Sequence, residues 1–238
     1  MSSNFAFSGP ETTSDRTTLR SVDLRGPAGR LEALLNEGSP GSRFAALVCH
    51  PHPKGGGTMH NKVVYHAMKL LNAPEWGFRF PVLRFNFRGT GLSEGHHDGR
   101  AESDDVTAAL DWLGTEFNIP IIVAGFSFGA AMVLAACCGS QPGPVPRNIH
   151  ALAALGLPTQ GFSHHYHYPF LPGCCNVPKL FLSGDRDQFA PAADLEHVVA
   201  TASDPKNLLF ISNADHFFSG QLEAMQQSLA GWLRKQPQ

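Results

Sequence analysis

The sequence predicts an α/β fold in which a mostly parallel sheet carries helices on both faces. Two patterns lead there. Short runs that are apolar almost throughout, such as Phe44 to Cys49 and Ile121 to Gly125, read as strands buried on both sides. Between them lie segments whose apolar residues recur at helical spacing, so strand and helix alternate along the chain. The 238 residues suit one well-buried domain.

Residues 1–16 are rich in Ser, Thr and Gly and are expected to form a loose arm, leaving 17–238 as a single domain. Leu19 to Leu24 and Leu31 to Leu35, separated by Gly26-Pro27-Ala28-Gly29, predict an antiparallel hairpin at a sheet edge. Strand Phe44 to Cys49, helix Asn61 to Leu71, strand Val82 to Phe87, helix Asp104 to Phe117 and strand Ile121 to Gly125 follow. The first helix is supported by Val64, Ala67, Met68 and Leu71, and the second by Val106, Ala109, Leu110, Leu113 and Phe117, each set forming one stripe. A helix after Ser127 to about Cys137, strands at Ile149 to Leu155 and Lys179 to Leu182, helix Ala192 to Ala200, strand Leu208 to Ile211 and helix Leu222 to Leu233 complete the series. The segment from Gly156 to Asn176 is the only sizeable insertion, and it is too short for a multi-helix cap.

Composition narrows the partners. Lys and Arg total 18 against 20 Asp and Glu, with no long run of either sign, which argues against nucleic acid and points to a small molecule. The longest apolar stretches fall well short of the roughly 20 residues that span a bilayer. The first residues lack a basic stretch followed by an apolar run, so a cytoplasmic location is expected. The five cysteines, with adjacent pairs at Cys137/Cys138 and Cys174/Cys175, have neither the pattern of a disulfide framework nor that of a zinc site, and are expected to be free thiols. The histidines His164, His165 and His167 have no matching carboxylate or cysteine spacing, so no metal and no cofactor is expected.

The sharpest chemical signal is Gly125-Phe126-Ser127-Phe128-Gly129, directly after PIIVA and before AAMVLAACC. A serine on such a strand-to-helix turn has its hydroxyl lifted clear of the sheet, and the helix start favours developing negative charge. A hydroxyl becomes a nucleophile only when a base takes its proton and a carboxylate orients that base. Downstream, the strand KLFLSG ends in Gly184-Asp185-Arg186-Asp187 and the strand LLFIS ends in Asn213-Ala214-Asp215-His216, both at carboxyl ends of strands. His216 is the candidate base. Asp187 is preferred as the acid because it lies deeper in its loop; Asp185 is expected to satisfy backbone donors of the turn, and Asp215 to face elsewhere. An oxyanion would be held by the N–H of Phe128 and by one from the loop His50-Pro51-His52-Pro53-Lys54-Gly55. Pro51 and Pro53 have no N–H, so His52 is the expected donor, with Lys54 and Gly55 as alternatives.

Taken together, VCHPHPKGGGTMHNKVV, LRFNFRGTGLSEG, AGFSFGA, LSGDRDQFAP and ADHFF resemble small, lidless bacterial α/β-hydrolases over about residues 43–232. The resemblance implies a triad of Ser127, Asp187 and His216, an oxyanion hole at His52 and Phe128, and a structural turn at Arg88, Gly89, Gly91 and Ser93. The function expected is hydrolysis of carboxylic esters through an acyl-serine intermediate. A thioesterase, an amidase or peptidase, or a non-catalytic binding protein of the same fold are the alternatives, since fold and triad alone do not separate them. Phe126, Phe162, Tyr166 and Phe170 are expected to line an open, shallow site suited to acyl chains of roughly two to six carbons.

Overall fold

The computed structural model describes residues 18–139, 148–161, 165–174 and 176–236; the expected arm at 1–16, Phe162 and His164 lie outside them. Among the described residues eight strands form one sheet: β1 (Leu19–Gly26), β2 (Gly29–Asn36), β3 (Ala45–Cys49), β4 (Val82–Phe85), β5 (Ile121–Phe126), β6 (Ile149–Leu155), β7 (Lys179–Gly184) and β8 (Lys206–Ile211). The described residues also form five α-helices, of which the first four connect strands and the last follows β8: α1 (Lys62–Asn72), α2 (Glu102–Phe117), α3 (Phe128–Cys138), α4 (Ala192–Thr201) and α5 (Leu222–Leu233). The spatial order is β1-β2-β4-β3-β5-β6-β7-β8. β1 and β2 form the expected edge hairpin, β2 joins β4 antiparallel, and every other pairing is parallel.

The two-residue period of the strands divides the interior into two cores. Ala45, Leu47 and Cys49 of β3 face α2, α3 and α4, while Ala46 and Val48 face α1 and α5. The stripes read from the sequence are the buried ones: Val64, Ala67, Met68 and Leu71 on α1, and Val106, Ala109, Leu110 and Leu113 on α2. Local signals set the ends. Asn61 caps α1 by accepting from Val63 N–H at 2.9 Å, and α2 stops where Asn118 turns left-handed at φ 50°. β4 ends two residues earlier than expected, with Asn86 N–H still donating to Glu32 O of β2 at 2.8 Å. Asn86 Oδ1 takes the Met59 N–H, and Phe87 N–H donates to His50 Nε2. β8 begins two residues earlier than expected, at Lys206, since an edge strand needs only alternate apolar residues.

The expectation for the cysteines is overturned. Cys138, at the end of α3, and Cys174, in the loop before β7, form a disulfide, while Cys49, which is buried, and Cys137 are outside it. The segment after Gly156 folds back along α3, and this brings together two cysteines separated by 36 positions. Among the described residues no helix is long and apolar enough to cross a membrane.

Candidate active site

Consecutive strands order the site. From β3 the chain first pairs at β4 on one side and then crosses to β5 on the other, so the carboxyl ends of β3 and β5 flank the switch point where open α/β sheets leave a crevice. Ser127 stands at the end of β5, in the one-residue turn into α3, with φ 55° and ψ −120°. A non-glycine residue at positive φ stores backbone strain, and here it holds the hydroxyl out of the strand direction. The turn is possible because the residues two positions to either side, Gly125 and Gly129, lack side chains. A Cβ on Gly129 would fall 2.5 Å from His50 O and 2.6 Å from Cys49 O, and one on Gly125 would fall 2.4 Å from Gly129 O.

The downstream loops meet this serine. His216 Nε2 lies 2.9 Å from Ser127 Oγ, and its Nδ1 lies 2.8 Å from Asp187 Oδ2. With Nδ1–H donating to the carboxylate, Nε2 is left as an acceptor for the hydroxyl proton. Asp187 and His216 are each 3% exposed, so the row is shielded from water on all but the serine side. The carboxylate is fully used: Oδ1 accepts from Phe189 N–H and Ala190 N–H at 2.8 and 3.1 Å, and Oδ2 also accepts from Ser183 Oγ at 3.0 Å. The other two aspartates hold turns. Asp185 accepts from Asn213 N–H at 2.7 Å, and Asp215 from Phe217 and Ser219 N–H at 3.0 and 2.9 Å.

His52 and Phe128 are brought side by side, their ring centroids 4.8 Å apart. Phe128 is the first residue of α3, so its N–H has no intrahelical acceptor. The loop carrying His52 is tightly bound. Gly55 and Gly57 N–H donate to His52 O, and the His52 ring accepts from Lys54 N–H at 3.2 Å. Behind it sits His50, which the sequence reading passed over. It is fully buried, accepts from Phe87 N–H at Nε2 and donates from Nδ1 to Pro51 O at 2.7 Å. Burial, with lesser contributions from His97 and His52, lowers its pKa to about 4 against the bond to Pro51, so the ring is neutral at pH 7. The turn at 88–93 is structural. Arg88 forks onto the buried Asp105 of α2 through Nη2 at 2.6 Å, and Ser93 Oγ donates to Asn86 O at 2.6 Å.

The expected substrate wall is differently built. Phe126 is fully buried on the α1/α5 side, its ring 5.1 Å from the imidazole of His216, so it supports the histidine from beneath and does not line a pocket. Tyr166 and Phe170, each half-buried, pack one side against the core around α3 and α4. The rings beside His216 are instead Phe189 at 4.8 Å and Phe217 at 5.2 Å. Both lie next to residues that the sequence marked, in DQFAP and DHFF, but only the fold places them at the imidazole.

A serine hydroxyl bonded to an imidazole that is bonded to a buried carboxylate, at the carboxyl edge of a parallel sheet, has the constellation of a serine hydrolase. Residues 46–236 match the alpha/beta hydrolase family, and the chain belongs to it. It is 36% identical over 222 residues to an uncharacterized protein of Rickettsia prowazekii, covering 89% of this chain and 87% of that one. Among solved structures it is similar to a Xanthomonas campestris α/β serine hydrolase without a lid, at 28% identity, with a TM-score of 0.75 and coverage of 94% and 97%. It is also similar to an α/β serine hydrolase homologue from Coxiella burnetii, at 30% identity, with a TM-score of 0.73 and coverage of 90% and 97%.

Proposed function

We propose that the protein hydrolyses carboxylic esters through an acyl-Ser127 intermediate, with Ser127, His216 and Asp187 as its triad. The observation that carries this reading is the unbroken row from Ser127 Oγ to His216 Nε2 at 2.9 Å and from Nδ1 to Asp187 Oδ2 at 2.8 Å. His216 takes the proton of Ser127 Oγ as the oxygen bonds to the carbonyl carbon, whose π pair moves onto the carbonyl oxygen. The N–H groups of Phe128 and His52 hold that oxyanion. Collapse breaks the bond to the alcohol, and the leaving oxygen receives the proton from Nε2. Water, deprotonated by His216, then attacks the acyl carbon and returns Ser127 as the leaving group.

A preference for short acyl chains, roughly two to six carbons, is part of the proposal. Support comes from the segment between β6 and β7. Its described residues carry only the single 3-10 turn Leu171–Gly173, and the described rings Tyr166, Tyr168 and Phe170 pack against the core. With no larger element among the described residues of this segment, little apolar wall is left for a long chain.

Treatment with a fluorophosphonate followed by peptide mass spectrometry tests the proposal. One label on Ser127 and hydrolysis of short p-nitrophenyl esters that Ser127→Ala abolishes are the expected results. Wild-type rates in Ser127→Ala would overturn it.

A further inference from the structure

We infer that Phe217 and Phe189 form the wall against which the alcohol half of the ester lies, and that the preferred substrates are esters of aromatic or other flat apolar alcohols. The inference rests on the ester-hydrolase reading and extends it to the leaving group. Chemistry dictates where that group must be. When the tetrahedral intermediate collapses, the bond from the former carbonyl carbon to the alcohol oxygen breaks with its electron pair passing to that oxygen. The oxygen then takes the proton that His216 Nε2 had received from Ser127. The leaving oxygen therefore stands within ~3 Å of Nε2, and whatever is attached to it lies on the exposed surface beside the imidazole.

The surroundings of the ring identify that surface. Phe126 closes the underside and is fully buried. Gly156 closes another side, since a Cβ there would lie 3.4 Å from the imidazole carbon Cε1 and from Nδ1. Among the described residues, Phe189, half-buried, and Phe217, 48% exposed, are the two rings that flank the imidazole and keep exposed surface. Of the large apolar side chains exposed among the described residues, Phe217 is the one that packs against the imidazole. A single exposed apolar residue is ordinary, but this one is held in place. Its N–H donates to Asp215, and the N–H of Phe189 donates to Asp187, so the backbone that carries each ring is anchored in the turn that carries the base or the acid. Two aromatic rings beside the imidazole that hands its proton to the leaving oxygen favour a ring or flat apolar group over a small polar one.

The test compares kcat/KM for methyl butyrate and benzyl butyrate, whose alcohols are of nearly equal acidity, in the full chain and in Phe217→Ala, Phe217→Leu and Phe189→Ala. Fluorophosphonate labelling of Ser127 is measured for each protein, so a misfolded variant is recognised. The wild type is expected to favour the benzyl ester, the benzyl-to-methyl ratio to fall about tenfold in Phe217→Ala, and Phe217→Leu to recover only part of it. A wild-type ratio near one, or a ratio that does not move in the labelled variants, overturns the inference while leaving the ester-hydrolase reading intact. Absence of labelling and of hydrolysis in the wild type overturns both.

Discussion

Asp187 and Asp185 are two positions apart on the same turn, and their partners separate them. Asp187 holds Nδ1 of His216 and three further donors in a dry pocket, whereas Asp185 accepts Asn213 N–H at the surface. Asp187→Asn should lower kcat by about 10⁴ through the wrong histidine tautomer. Asp185→Asn should leave kcat near wild type and cost at most about 1 kcal/mol, read by urea unfolding. His50 supplies a pH dependence. Its pKa falls from 6.5 to about 4 on folding, so below pH 6.5 the unfolded chain binds a proton that the folded chain refuses. This contribution is complete above pH 6.5 and is lost as pH falls from 6.5 to 4, a span of about 3 kcal/mol. Urea midpoints at pH 7.5 and 4.5 should show the loss in the wild type and a smaller one in His50→Gln.

At the level of elements, the strand-turn-helix at Ser127 was legible because its spacing is steric: only glycine lets β3, β5 and the start of α3 approach so closely. The turn after β4 was legible only as a resemblance, since its purpose lies across the fold. Arg88 reaches α2 and forms an ion pair with Asp105 whose side chains are 10% and 0% exposed. Burial pushes the Asp105 carboxyl up, and the Arg88 guanidinium, together with the Arg88 N–H, opposes that shift. Removing one partner strands a charge in the interior, so Asp105→Ala should destabilise the protein by about 3–5 kcal/mol in thermal or urea unfolding.

For the molecule as a whole, the disulfide between Cys138 and Cys174 ties the far end of α3 to the segment that crosses over it. On the loop-entropy account, a closure of this length contributes up to about 4 kcal/mol. Ser127 precedes the first turn of the same 11-residue helix, about 16 Å from its other end. Dithiothreitol should therefore lower the melting temperature while leaving kcat for a short ester unchanged, and calorimetry with parallel assays checks both.

By itself the sequence determined the order and type of the elements, the edge hairpin, the elbow serine and the loops that carry Asp187 and His216. These depend on local periodicity and on residues at strand ends, which a linear chain displays directly. The tertiary structure alone decided which distant side chains meet. It paired Cys138 with Cys174, put Ser183 and His50 behind the site, turned Phe126 beneath the imidazole, laid Tyr166 and Phe170 on the core, and set Phe189 and Phe217 beside His216. The physical reason is that burial is a competition among all apolar groups for the same interior. Which ring wins a place in the core and which is left at the site depends on the packing of both layers together, and no short stretch of sequence records it.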